Sequence, residues 1–417
     1  MTKRPDSFSA LITVYITAFL DLLGVGIVVP VLAPLFLDLH NGLFPASFSF
    51  HERSITLGIL IAAYPFAQFF GAPFFGALSD RWGRKKVLVL SLCGTTLGYL
   101  LFGSGILMKN LWVLFISRLI DGFTGGSTST VNSTIADVSD ETTRPRNFGL
   151  VGMMFGLGFI LGPFIGGVLS DSHIVWWFGY VVPFWFCALL SFINVISVSL
   201  FFKETLHHKV DSKLTLFSGI TNLQNAFKLQ NLRTIFLVIF LSYFGFNLFV
   251  QFFPVYLIRK FELNQSEIGF LFAYVGIWIA ITQGGIIRIV SKKFTPQKIL
   301  PITLLGLAIS FIVLLFPSRR LDLYIILPLI AVFQGLIQPM STSMLSGMAD
   351  EKSQGEVMGV NQSIQAIGFM IPPIIDGFLT SLNIAFPIIA GSICTLLAWL
   401  VFDFFFNAHR WGKFKEV

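Results

Sequence analysis

A chain of 417 residues of which 55% are apolar and only 12% charged is too poor in charge for a soluble globular domain, where about 25% is usual, and in water it would expose large apolar patches. Its net charge of +7 does not point to nucleic acid, because the bases lie in loops between apolar runs of membrane-spanning length. The three cysteines, Cys93, Cys187 and Cys394, all fall inside apolar runs and are too few and too scattered for a disulfide framework or a zinc site.

The chain begins Met1-Thr2-Lys3-Arg4 and turns apolar at Phe8. That run continues to Leu37, too long for the apolar region of a signal peptide, and no small-residue cleavage site follows it, so it reads as an uncleaved first span. Further spans are predicted at 55–78, 87–108, 111–136, 148–170 and 176–202, and again at 233–257, 266–290, 298–316, 322–348, 358–380 and 383–406. Between the two sets, 203–232 is polar and amphipathic, with Lys203, His207, His208, Lys209, Lys213 and Lys228. The expected division is a bundle over 1–202, a central loop over 203–232 and a second bundle over 233–417 with a short tail. With the N-terminus placed in the cytoplasm, only Arg53, Lys109, Arg259, Lys260, Arg319 and Arg320 fall on the far side, and Arg118 is intramembrane. The bias puts both termini and the central loop in the cytoplasm.

The two sets resemble each other. Gly158-Phe159-Ile160-Leu161-Gly162-Pro163-Phe164-Ile165-Gly166-Gly167 aligns with Gly368-Phe369-Met370-Ile371-Pro372-Pro373-Ile374-Ile375-Asp376-Gly377. Gly122, Ala136 and Asp137 fall on Gly335, Ala349 and Asp350, and Phe19-Leu20 and Gly24 on Phe240-Leu241 and Gly245, in the same order and at similar offsets.

Charges inside apolar runs stand out. Asp21 is a lone acid in the first span; an ionised carboxylate there must be paired, solvated in a cavity or protonated. Arg118 and Asp121, three apart in the fourth span, share a helix face. Polar pairs four apart mark other spans: Tyr64 and Gln68, Asn247 and Gln251, Gln334 and Gln338, Asn361 and Gln365. In lipid the face each pair occupies must point inward, so these residues either line a cavity or join helices. Asp376 and Asp403 lie towards the ends of the last two spans and are expected to reach the interface. Enzyme motifs do not occur: His51-Glu52 is followed by Ile55 rather than His, and the chain has no P-loop and no G-x-S-x-G. Neither ATP-driven transport nor hydrolysis has residues to carry it, and no cofactor or metal is expected.

The stretch Gly76-Ala77-Leu78-Ser79-Asp80-Arg81-Trp82-Gly83-Arg84-Lys85-Lys86 packs one acid and four bases between two apolar runs. Gly76 allows close helix contact and Gly83 a turn with positive φ. The spacing G-x-L-x-D-R-x-G-R-K-K resembles the signature loop between helices 2 and 3 of the major facilitator superfamily, and the resemblance extends over nearly the whole chain. It implies an all-α membrane protein of twelve transmembrane helices in two pseudo-symmetric six-helix bundles, with the substrate site between the halves near mid-membrane. It also implies that Asp80 contacts the N-terminal end of helix 11 in one conformation and releases it in another, and Asp137 matches the family's acid at the cytoplasmic end of helix 4. In the second half the corresponding stretch, Ile287–Gln297, has Ser291 in place of the acid, so gating is expected to rest on the first half. Arg118 and Gly122 fit a helix 4 motif R-x-x-x-G whose Arg implies proton coupling, with Asp121 neutralising it at rest.

Two further stretches narrow the branch. Gly156–Gly167 resembles the G-x-x-x-G-P-x-x-G-G motif of the family's antiporters, carried here by Gly158, Gly162, Pro163, Gly166 and Gly167. Gly158, Gly162 and Gly166 form one smooth helix face, and Pro163 can kink the helix. The run around Asp21 resembles the L-D-x-x-G-x-G-x-x-x-P of tetracycline-efflux-type antiporters. Those exporters carry intramembrane acids where Gly98 and Leu307 stand here, so a metal–tetracycline cation is not the expected substrate; another amphipathic compound or an endogenous metabolite such as a siderophore or sugar is.

The resemblance therefore implies a monomeric secondary transporter in a bacterial inner membrane, handling a small molecule and protons, with no nucleic-acid partner. In the expected cycle Asp21 takes a proton from outside and loses its attraction for Arg118, which favours the inward-facing state; substrate binds, and proton release to the cytoplasm resets the pair. An importer or uniporter of the same fold stays open, as does a non-transporting membrane sensor, although the latter has no need of an intact Asp80/Arg84 loop.

Overall fold

A backbone in hydrocarbon must satisfy its own hydrogen bonds, so long apolar runs become helices. The computed structural model describes residues 5–38, 43–45, 47–140, 143–206, 219–221, 224, 232–348 and 354–413. In chain order it contains α1 (Pro5–Leu37), α2 (Phe50–Trp82), α3 (Arg84–Leu107), α4 (Leu111–Thr124), α5 (Ser127–Val138), α6 (Arg144–Ser170), α7 (Val182–Phe201) and α8 (Arg233–Val250). There follow α9 (Phe253–Phe261), α10 (Gln265–Ile281), α11 (Ile287–Lys293), α12 (Pro296–Val313), α13 (Arg320–Met348), α14 (Gln354–Met370), α15 (Pro372–Leu382) and α16 (Phe386–Lys413). A π-helical segment, Thr282–Ile286, joins α10 to α11. No strand occurs among the described residues. His207, His208, Lys209, Lys213, Lys228, Ala349 and Asp350 lie outside them.

Among the described residues, 11 helices are long and apolar enough to cross a membrane. The fourth predicted span is not one of them. Gly125 and Gly126 interrupt it, leaving α4 and α5 with 14 and 12 residues. The reason is close packing against α2: a Cβ on Gly126 would lie 2.7 Å from the Gly71 carbonyl oxygen, and one on Gly122 would strike the Tyr64 backbone. The sixth predicted span also changes. Its helix starts at Val182, with Pro183 in the first turn, where a missing N–H costs nothing. The preceding Trp176 and Trp177 are exposed in a turn, as suits a membrane-interface aromatic belt. Pro254 opens α9 after a break at Gln251-Phe252, and Pro372-Pro373 open α15.

Two compact units form. One comprises Met1–Ser49, Ala63–Ser218 and Asn264–Ala273; the other comprises Phe50–Ala62, Gly219–Leu263 and Tyr274–Val417. The N-terminal turns of α2 therefore cluster with the second half of the sequence and the first turns of α10 with the first half. Glycines permit both contacts. A Cβ on Gly377 of α15 would lie 2.7 Å from the Ser54 carbonyl oxygen of α2, and one on Gly269 of α10 would lie 2.5 Å from the Pro163 oxygen of α6.

Within the first unit α1 packs on α6 and α7, and α3 on α4 and α7. Within the second, α8 packs on α14 and α16, and α12 on α13 and α16. The second set repeats the first six spans later, so the two bundles are pseudo-symmetric. The first core draws Ala10, Val14 and Ala18 from α1 against Leu88 and Leu92 of α3, Val131 and Ile135 of α5, Val198 of α7 and Phe202 just past it. One turn beyond Ala18 on the same face of α1 is Asp21.

Candidate functional site

Asp21 is only partly buried. Ser127 Oγ, in the first turn of α5, donates to Asp21 Oδ2 at 2.8 Å. The carboxylate lines a cavity of about 10 Å³ shared with Thr95, Tyr99, Ser191 and Asn194, about the space of one water. Asn194 Oδ1 is buried there without a partner. One turn beyond Asp21 on the same face, the Tyr99 hydroxyl fills the place a Cβ on Gly24 would take.

Arg118 and Asp121 form a buried ion pair, Nη2 to Oδ2 at 2.8 Å. The guanidinium also lies 5.1 Å from the Tyr64 ring centre and 5.3 Å from that of Phe102, while its Nε has no acceptor. Cation–π contacts of this sort matter more once the cation is desolvated. The expected pairing of Arg118 with Asp121 is present, but the expected attraction between Asp21 and Arg118 is not the contact made: Arg118 is neutralised by its own helix neighbour, and Asp21 accepts a hydrogen bond from a hydroxyl. The cause is geometric, since Arg118 and Asp121 share one face of α4 whereas α5 restarts after the Gly125-Gly126 break and turns Ser127 onto α1. Gly98, the position matched in the sequence to an exporter acid, faces Asp121: a Cβ at 98 would lie 2.7 Å from the Asp121 Cβ. The acid between α3 and α4 thus comes from α4, and a side chain on α3 has no room. Leu307 is fully buried.

The loop between α2 and α3 is a second polar cluster. Arg84 Nη1 donates to Asp80 Oδ1 at 2.5 Å and to Ser79 Oγ at 2.6 Å, and Arg84 Nε donates to Asp137 Oδ2 at 2.9 Å. Arg84 is buried although Arg81 beside it is exposed. Gly83 has φ 105, open to glycine and strained for other residues. Glu204, just past α7, caps α3: the backbone N–H groups of Arg84 and Lys85 donate to its two carboxylate oxygens at 2.8 and 3.2 Å. An acid at a helix N-terminus is favoured by the helix dipole. A Cβ on Gly83 would collide with Glu204, a second reason for glycine. Gly76 sits against Ser129 of α5, 3.3 Å from its Oγ to a built Cβ.

The glycines of α6 face α1 backbone to backbone. Built Cβ atoms on Gly158 and Gly162 would lie 2.8 Å from Leu23 N and 2.7 Å from Leu23 O, and one on Gly166 would strike the Ile27 carbonyl. Pro163 Cδ is 2.9 Å from a Cβ built on Gly26, and Gly167 turns to α10. Gly152 and Gly156 face open space.

The polar pairs divide. Gln68 Nε2 donates to the Gly125 carbonyl at 3.2 Å and reaches Tyr64 Oη at 3.5 Å, joining α2 to the α4–α5 break. Asn247 Nδ2 donates to the Tyr243 carbonyl at 2.9 Å, and Gln251 reaches Asn247 at 3.5 Å, so this pair serves the end of α8. Gln334 Oε1 and Asn361 Oδ1 are buried without partners, Gln365 is partly exposed and Gln338 exposed. Asp403 is partly exposed, as expected near an interface, but Asp376 is not: its exposure is 0%. The break at Pro372-Pro373 packs α15 closely under α2, which covers it.

Ser127, Tyr99, Thr95 and Glu204 were not singled out from the sequence. Glu204 carried a faint signal, as an acid opening a basic stretch; the hydroxyls carried none, because small polar residues are common in membrane helices.

The profile of the Major Facilitator Superfamily matches residues 14–373 and 235–415. The chain is 28% identical over 400 residues to the tetracycline resistance protein, class C, of Escherichia coli, covering 95% of this chain and 94% of that protein. It is 29% identical over 409 residues to the quinolone resistance protein NorA of Staphylococcus aureus, covering 96% and 97%. In fold it is similar to a D-xylose-proton symporter, with a TM-score of 0.76, 13% identity, and 95% and 97% of the two chains covered.

Proposed function

The chain belongs to the Major Facilitator Superfamily and is an integral membrane protein, and from that premise we propose that it is a secondary transporter exporting a small amphipathic compound in exchange for protons. The observation that carries the proposal is Asp21. Its carboxylate lines a water-sized cavity, and Arg118, the cation of the fourth span, is already paired with Asp121. Asp21 is therefore the acid left free to gain and lose a proton, with Ser127 holding its ionised form. The Arg118–Asp121 pair fixes the field around it.

The domain division 1–202 and 233–417, cytoplasmic termini, a bacterial inner membrane and a monomeric state complete the reading, supported by the basic loops and by relatives of matching length. The Asp80–Arg84–Asp137 network with its Glu204 cap ties α2, α3, α5 and the end of α7 into one rigid corner, as the fixed part of a gate requires. The crowding at Gly98 favours an amphipathic substrate without bound metal. Purified protein in liposomes, given an inward proton gradient, tests this with metal-free tetracycline, a fluoroquinolone and ethidium as probes. At least one should move against the proton flow; movement of every transported probe with the protons would make it an importer.

A further inference from the structure

The second unit holds an acid that the cycle above does not use. Asp376 is 0% exposed, and neither of its oxygens has a hydrogen-bond partner. Ser54 Oγ of α2 and Thr380 Oγ1 of α15 are buried without partners as well. Asp376 lies four residues into α15, just past the Pro372-Pro373 break, and proline leaves the carbonyls of Gly368 and Phe369 without their usual i+4 donors. A discontinuous membrane helix with an acid beside the break is the arrangement in which transporters hold coupling ions.

The titratable groups on the elements packed against α15 do not neutralise it. His51 of α2 stands edge-on to Phe378 at 6.4 Å, Arg53 of α2 is buried, Tyr243 of α8 lies against Gly368, and Cys394 of α16 is partly buried. None of them hydrogen-bonds the carboxyl. An ionised carboxylate sealed from water with no partner is too costly to persist. The cover is a direct backbone contact: a Cβ on Gly58 of α2 would lie 3.1 Å from Gly377 Cα, and one on Gly377 3.1 Å from Ile55 Cα.

We infer that Asp376 is a second proton-carrying site, closed by the N-terminal turns of α2 and opened when they separate from α15. The inference rests on the proton-coupled reading above, but its test does not need a transported substrate. Infrared spectra of the purified full chain in lipid nanodiscs at neutral pH are compared for wild type and Asp376→Asn. The difference should contain the carbonyl band of one protonated carboxylic acid, and that band should shift as its proton exchanges in D2O. Gly377→Val, which wedges α2 from α15, should speed the exchange at least tenfold. Absence of the band means an ionised Asp376 and overturns the inference. A band that does not exchange in wild type, or whose exchange is unchanged in Gly377→Val, makes the acid a structural one and also overturns it. Should Asp376→Asn insert poorly, Asp376→Leu gives the same difference spectrum. Failure of every probe to be transported would instead count against the proposed function and leave the infrared result standing.

Discussion

Asp21→Asn keeps the size of the side chain and a neutral hydrogen-bonding group in contact with Ser127, so the protein should remain folded in the membrane while proton-driven export of a probe falls at least a hundredfold. Ser127→Ala removes a hydrogen bond to a charged acceptor, worth roughly 1.5–3 kcal/mol, and should slow export about tenfold. Initial rates in vesicles, with protein retention checked by size-exclusion chromatography, measure both. Outside the spans, Tyr180 Oη donates to Asp38 at 3.2 Å and accepts from Gln265 at 2.8 Å. Burial, then the Asp38 carboxylate, raise its pKa above the ordinary value. A raised folded pKa adds stability that is complete below the ordinary tyrosine pKa of about 10 and is lost as pH rises beyond it. Melting curves from neutral pH upward should therefore show an alkaline loss of stability that Tyr180→Phe reduces; an unchanged loss would place its origin elsewhere. The sequence displayed Asp21, Arg118 and Asp121 because a charge in an apolar run is visible without a structure. The three-residue spacing also predicts the Arg118–Asp121 pair, which is present; what it could not show is the group that meets Asp21, since that depends on how α5 resumes after the break. Asp376 was misread for a similar reason: hydropathy gives depth along a helix but not the cover that α2 provides.

At the scale of elements, α1 and α6 associate without a hydrophobic drive, because lipid is as apolar as leucine. Contact between their backbones supplies the attraction instead. Gly162→Val would force side-chain carbons into the Leu23 carbonyl, 2.7 Å from a built Cβ, and overpacking of this kind costs about 1–3 kcal/mol. Gly152→Ala, with nothing within 4 Å, should be neutral or gain up to about 1 kcal/mol of helix propensity. Thermal unfolding in detergent should separate the two variants clearly, and equal midpoints would remove the backbone-contact argument. Glu204→Gln weakens the cap on α3 by about 0.3–1 kcal/mol, read as faster labelling of a cysteine placed at Lys86. The helices were legible from apolar length, and the α6 glycines from their spacing of four. Where helices break was less so: Gly125-Gly126 could be read as ordinary small-residue packing, and only the approach of Gly71 shows that the chain must bend there.

For the molecule as a whole, the repeated pairing of α1, α3, α6 and α7 by α8, α12, α14 and α16 gives two similar bundles with different contents. The first carries the charged cluster and the intact loop; the second carries Asp376, a π-helical segment, and a loop with Ser291 in place of the acid. The central claim is that substrate leaves in exchange for protons and that Asp21 carries the exchange. The most direct measurement traps a pH-sensitive dye inside sealed proteoliposomes and imposes a gradient of a transported probe with the membrane potential clamped at zero. Protons should run opposite to the probe in the wild type, and probe should move without protons, or not at all, in Asp21→Asn. Protons moving in the same direction as the probe, or an undiminished counterflow in Asp21→Asn, would contradict the account.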